Sequence, residues 1–213
     1  MMKRRVLYRF VVALACGVAA AMAQPALAAD EAADALIKRL STDVLASIKA
    51  DTAIKSGDTS RIIALVDSKI MPNVNFQRMT ASAVGPAWRQ ATPEQQKRLQ
   101  DEFKTLLVRT YAGALSEVNE QVITVRPLRA AADDKEVIVR TEVKGNGEAI
   151  QLDYRLEKTP GQGAGWKIFN LNVLGIWLVE TYRSQFAQEI NAKGIDGLIT
   201  TLAERNKTGA KKG

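Results

Sequence analysis

The chain has 213 residues, 30 basic and 23 acidic, for a formal net charge of +7, and it contains no histidine. Without histidine there can be no Ser-His-Asp or Cys-His nucleophile, no histidine general base and no His-ligated zinc. The charge excess sits at the ends, with Lys3, Arg4, Arg5 and Arg9 at the start and Arg205, Lys207, Lys211 and Lys212 at the finish. The stretch between is close to neutral, unlike a nucleic-acid-binding fold, which clusters basic residues on one face.

Residues 1–28 read as a secretory signal peptide: a basic start, an apolar stretch over 10–21, Pro25, and the small-x-small pattern Ala26-Leu27-Ala28. Leu14-Ala15-Cys16-Gly17 faintly resembles a lipobox, but only six residues separate Arg9 from Cys16. Cleavage after Ala28 removes the only cysteine, so the mature chain has neither a disulfide nor a thiolate metal site. The remaining length suits a single α+β domain over 29–204, followed by a basic disordered tail over 205–213.

Leu36, Leu40, Val44 and Ile48 recur every four residues and predict an amphipathic helix over 30–50. A second helix is expected over 59–71, with Ile62 or Ile63, Val66 and Ile70 on one side and Pro72 ending it. Asn75 is the expected N-cap of a short helix, FQRMTASAV, that stops at Gly85-Pro86. Thr92, Pro93 and Gln95 then spell a capping box with proline at the first helical position. That helix is expected to reach about residue 118. Leu99, Phe103, Leu106, Leu107, Thr110, Tyr111, Ala114 and Leu115 form one broad stripe along it. So wide a stripe must lie across an apolar surface, and ordinary core packing is the default explanation.

From Val122 the hydrophobic period changes to two. VITVRPL, EVIVRTEV, AIQLDYRL and WKIFNLNV read as four strands of an antiparallel meander, with Gly145-Asn146-Gly147 as one hairpin turn. Val137, Val139, Thr141 and Val143 alternate with Ile138, Arg140, Glu142 and Lys144, and Ile150, Leu152, Tyr154 and Leu156 with Gln151, Asp153, Arg155 and Glu157, so one sheet face is apolar. The sheet is expected to be roofed by the 92–118 helix and its neighbours. The segment 173–179 is apolar except for Gly175, which marks a corner; Trp177 or Leu178 starts a further helix. On it Val179, Tyr182, Phe186 and Ile190 face inward, and Glu180, Arg183, Ser184 and Gln188 outward. Lys193-Gly194 stops it, and a last short helix carries Ile195, Leu198, Ile199 and Leu202.

Nothing here suggests an enzyme. The adjacent acids Asp101-Glu102 and Asp133-Asp134 lack a complementary motif, and there is no Gly-rich phosphate loop.

One resemblance goes further. Pro72, Phe76, Met79, Trp88, ATPEQ, LLVRTYAGAL, DYRL, GWKI and above all VLGIWLVETYRSQF resemble the MlaC family, also known as toluene-tolerance auxiliary proteins. The likeness runs from about residue 35 to 202. The chain departs from the family at Asn75 and Asn170, where an acid is common, and at Leu174, where Glu is common. The resemblance implies an NTF2-like or cystatin-like roll: N-terminal helices, an antiparallel curved sheet of four or more strands and a closing C-terminal helix around an apolar pocket. It implies a monomeric, periplasmic phospholipid carrier without cofactor or metal. Its partners would be an outer-membrane lipoprotein–porin complex and an inner-membrane ABC transporter with an MCE-domain protein, and its role outer-membrane lipid asymmetry. The other reading is an NTF2-like interaction module with no lipid.

On the carrier reading the acyl pocket draws on Phe76 and Met79 from the short helix, and on Phe103, Leu106, Leu107, Thr110, Tyr111 and Leu115 from the long one. The sheet supplies Val137, Val139, Val143, Ile150, Leu152, Tyr154, Leu171 and Val173, and the closing helix Val179, Tyr182 and Phe186. Trp88 and Trp166 are expected as structural anchors. Trp177 is expected either at the pocket mouth or on a partner surface. Arg183 is expected to pair with Glu180, or to face an acidic partner or a phosphate.

Overall fold

A computed structural model describes residues 30–209 apart from 119, 132, 146 and 147. The expected signal peptide, the last residues of the tail and the Asn146-Gly147 turn lie outside the described residues.

Helix α1 (Ala33–Ala50) buries Leu36, Leu40 and Ile48 of the predicted stripe, with Val44 half-buried, and buries Ala33 and Ile37 beside it. Two short helices follow, each started by an aspartate that accepts from backbone N–H groups: Asp51 for α2 (Thr52–Lys55) and Asp58 for α3 (Thr59–Leu65). Asp51 also pairs with Arg61 at 2.7 Å, tying α2 to α3. The helix expected over 59–71 is regular only to Leu65; it loosens into a π-type turn (Val66–Ile70) and a 3-10 turn (Met71–Asn73). Pro72 donates no N–H and crowds the preceding turn, so the regular ladder gives way before it.

Helix α4 (Phe76–Val84) starts at Asn75, whose side chain accepts from Arg78 N–H at 2.9 Å. Helix α5 (Pro93–Ser116) has the full capping box: Gln95 N–H donates to Thr92 Oγ1 at 3.2 Å, and Thr92 N–H to Gln95 Oε1 at 3.0 Å.

Strands β1 (Val122–Val125), β2 (Glu136–Lys144), β3 (Ile150–Lys158), β4 (Trp166–Val173) and β5 (Ile176–Trp177) pair antiparallel in chain order. The fifth, two-residue strand follows a turn through Leu174 (φ 53°) and Gly175 (φ 86°). Val139 pairs with Tyr154, which pairs with Leu171; Val143 pairs with Ile150; Leu152 pairs with Val173, which pairs with Ile176. This register gathers the apolar residues on one face. A bulge beside Arg155 and Leu156 gives β4 one extra residue, Phe169. Arg78 stacks on that ring at 3.6 Å and pairs with Glu157 at 2.6 Å and Glu136 at 2.5 Å, joining α4 to the sheet.

Helix α6 (Leu178–Gly209) is two helical pieces separated at Gly194 (φ 71°, ψ −175°), the break the sequence marks. It runs on past residue 204, so the disordered tail expected from 205 is corrected over 205–209. Asn206 is buried there and donates to Glu102 Oε2 at 2.7 Å, which anchors the last turns to α5.

The expected roof of the sheet is also corrected. Leu36, Ile37 and Leu40 of α1 cover Val137, Val139, Leu156 and Ile168 at one end of the apolar face. Helix α5 lies chiefly on α6, α3, α4 and α2 instead. The layers are locked by four aromatic rings. Phe103 meets Phe76 at 5.7 Å, Tyr182 at 4.9 Å and Phe186 at 5.2 Å, the last two edge-on.

Phe186 is 2% exposed, so Phe186→Ala is expected to destabilise the fold by about 3–5 kcal/mol, measured by urea unfolding.

Candidate functional site

The long stripe of α5 changes character along its length. Leu99 and Phe103 are completely buried. Leu106, Leu107 and Tyr111 are only half-buried, and Thr110 and Ala114 are exposed. Residues 103, 107, 110 and 114 share one helical face. The stripe therefore leaves the core as the helix proceeds. Thr110 turns its hydroxyl back to the Leu106 carbonyl at 2.7 Å.

The sheet repeats the pattern. Beyond α1, Val143, Leu152, Leu171 and Val173 on the apolar face are half-buried, and Ile150 and Ile176 are 42% and 58% exposed. Leu171 and Val173 abut the same aromatic cluster as Leu106, Leu107 and Tyr111. Two incompletely covered apolar surfaces, one helical and one sheet, thus converge on the wall formed by Phe76, Phe103, Tyr182 and Phe186. We refer to this partly open apolar surface as the trough.

The expected site residues divide accordingly. Leu106, Leu107, Thr110, Tyr111, Val143, Ile150, Leu152, Leu171 and Val173 lie along the open surfaces. Phe76, Met79, Phe103, Val179, Tyr182 and Phe186 are buried and form the wall behind them. Val137 and Val139, expected on the pocket surface, are sealed beneath α1, because its three apolar side chains reach that end of the sheet first. Leu115 joins a separate cluster with Val108 and Ile54, away from the aromatic wall. Val108 lies off the stripe the spacing singles out; it is buried because α5 meets α2 and α3 on a second face. Tyr154 packs with the α1 cluster.

Two tyrosines of this region, Tyr154 and Tyr111, are shifted by burial. Burial pushes the Tyr154 phenol above its ordinary value, with hydrogen bonds to Ser41 and Thr141 acting the other way. Burial raises Tyr111 as well, and the nearby Tyr182 adds to it. Both hydroxyls stay protonated at neutral pH.

The sequence reading did not place two positions in the site. Ile123 faces Val143 across the sheet, and Ile176 faces Val173. The period-two pattern carries Ile123; the two-residue β5 is too short to show any period. Val44, part of the predicted α1 stripe, bridges two core clusters.

The tryptophans fall into place. Trp88 and Trp166 are half-buried against core clusters, and Trp177 lies under the Arg155 guanidinium at 4.0 Å. Glu180 does not pair with Arg183. It accepts from Arg155 at 2.5 Å and Asn170 at 2.8 Å, while Arg183 Nε donates to the Ser82 carbonyl at 3.0 Å. Burial alone would raise the Glu180 pKa, but these hydrogen bonds hold it below its ordinary value. Among the described residues, no group of three or more His, Cys, Asp or Glu is placed to hold a metal ion. No helix among them is long and apolar enough to cross a membrane.

Comparison with known proteins adds an independent line. The family described as MlaC protein matches residues 38–204. The toluene tolerance protein ttg2D of Pseudomonas putida is 32% identical over 163 residues, 76% of this chain and 74% of that protein. The intermembrane phospholipid transport system binding protein MlaC of Haemophilus influenzae is 23% identical over 170 residues, 79% of each. A solved structure of a phospholipid-binding protein from Ralstonia solanacearum, in complex with a phospholipid, is 49% identical. It superposes with a TM-score of 0.80 over 84% of this chain and 98% of that one.

The trough separates two positions that look alike in sequence. Val139 is 0% exposed, so Val139→Glu buries an unpaired carboxylate and is expected to cost roughly 3 kcal/mol or more. Leu152 lies at the open end, where water reaches the new carboxylate. Leu152→Glu is expected to keep native circular dichroism and to melt closer to wild type than Val139→Glu.

Proposed function

The chain belongs to the MlaC protein family, and from this we propose that it binds a diacyl phospholipid, with the acyl chains in the trough, and carries it across the periplasm. The observation that supports the reading most directly is the trough itself: the α5 stripe and one end of the sheet stay apolar where they leave the core.

The energetics match the task. Two acyl chains hold about 30 methylenes, and exposing them to water costs on the order of 24 kcal/mol. A carrier that offers comparable apolar burial makes loading and unloading nearly balanced exchanges. Contacts with the donor and acceptor then set direction. No bond is made or broken, so no cofactor and no catalytic group is required. The wide, mostly aliphatic surface suits acyl chains, which have shape but few polar handles. The donor and acceptor in this proposal are an outer-membrane lipoprotein–porin complex and an inner-membrane ABC transporter bearing an MCE-domain protein. The basic, apolar N-terminus over 1–28 fits export to that compartment.

The test begins with protein expressed through its own export signal, extracted with organic solvent and analysed by mass spectrometry. Diacyl phospholipid is expected to co-purify. Empty protein that also takes up none from vesicles would remove the carrier reading. Leu152→Glu is expected to stay folded and to hold at least about tenfold less lipid, because a carboxylate against an acyl chain loses its hydration.

A further inference from the structure

A concavity lies away from the trough. It is a cleft of about 610 Å³, where the end of α4, the 3-10 turn Gly85–Arg89 and the first half of α6 meet. Arg78, Arg89 and Arg183 line it together with Trp88 and Pro86, and no carboxylate does. Arg78 is already committed to Glu136, Glu157 and the Phe169 ring. The other two are not. Arg89 and Arg183 enter no ion pair among the described residues. The acid closest to Arg183 in sequence, Glu180, is taken by Arg155 and Asn170. The bond from Arg183 Nε to the Ser82 carbonyl fixes the plane of its guanidinium at the cleft wall. Two uncompensated guanidinium groups thus flank one opening, on a body whose charges otherwise nearly cancel.

We propose that this cleft is a docking site for a partner protein that presents acidic side chains. Arginine forks suit carboxylates and phosphates alike. The apolar pattern of the surface decides between a protein and a lipid surface. A membrane-facing basic site inserts apolar side chains beside its cations. The exposed large apolar residues here, Val122, Ile138, Ile150, Leu174 and Ile176, all belong to the sheet or its last turn, and none lines the cleft. The half-buried Trp88 instead offers a fixed flat wall beside the cations, as protein interfaces favour. No residue of the trough lines the cleft, so the charge argument for docking does not rest on the trough holding lipid.

The experiment uses the mature protein and a hexaglutamate peptide as probe, followed by backbone amide NMR at about 20 mM salt, where charge contacts are weakly screened. Saturable shifts are expected at residues 82–90 and around Arg183. The double variant Arg89→Glu, Arg183→Glu is expected to weaken binding by at least about tenfold, since charge reversal replaces attraction with repulsion. Lys97→Glu, a charge reversal on exposed α5, serves as the control and is expected to leave the affinity within about twofold of wild type. Circular dichroism and lipid content are measured on every variant, so a failure of the carrier reading shows separately from a failure of docking. If the double reversal does not fold, the Arg89→Gln, Arg183→Gln pair is read in its place. Unchanged affinity in the folded variant overturns the proposal, as do shifts spread evenly over the surface. Tighter binding of inorganic phosphate, or of phosphatidylcholine vesicles containing phosphatidylglycerol, at the same residues also overturns it, in favour of a phosphate ligand.

Discussion

The contact on which the rest of the structure depends is the meeting of Phe76, Phe103, Tyr182 and Phe186. The four rings come from three helices, with centroids 4.9–5.7 Å apart. Each supplies a large apolar area, and the edge-on pairs add a preference for one orientation. Because Phe103 touches all three others, it fixes the angle at which α5 crosses α4 and α6. Leu171 and Val173 rest on the same cluster, so β4 is placed by it too. The sheet and the long helix therefore meet at one line. Away from that line α1, not α5, covers the sheet, and the space between α5 and the sheet's far end becomes the trough.

Polar contacts hold this geometry from outside. Arg78 joins α4 to β2 and β3 through Glu136 and Glu157, and its guanidinium covers the bulged Phe169. Asn75 both caps α4 and donates to Glu157 at 2.6 Å. On the neighbouring strand β4, the Asn170 side-chain carbonyl accepts from Val179 N–H at 3.1 Å, while its amide holds Glu180. The start of α6 is thereby pinned to β4. Such half-buried, hydrogen-bonded charges contribute less through Coulomb attraction than by making other arrangements leave polar groups unpaired. At Asn75 and Asn170 the asparagine supplies both a donor and an acceptor, and both are used.

Leaving apolar surface uncovered is unfavourable in water, and proteins seldom do so without a ligand or partner to cover it. Here the uncovered positions are contiguous with a rigid core instead of scattered. Rigidity matters for a site without directional polar groups: a shape that does not collapse when empty needs no reorganisation when filled. The half of the sheet packed under α1 belongs to the buried core, and the open half supplies the surface.

The sequence by itself determined most of the elements. The Thr92–Gln95 capping box, the Asn75 cap, the stop at Gly194 and the period-two strands are local, and each depends on residues within one turn or one hairpin of each other. It also determined that α5 carries more apolar surface than one neighbour requires. It did not determine which part of that stripe, or of the sheet, would be covered. Val139 and Leu152 occupy equivalent inward positions in their strands, yet one is sealed and the other open, because α1 docks across one end only. Likewise Arg183 sits one turn from Glu180, but Arg155 and Asn170, brought in by the sheet, hold that acid first. Periodicity reports which face a residue is on. Only the long-range docking of α1, α5 and β4 decides what, if anything, lies against it.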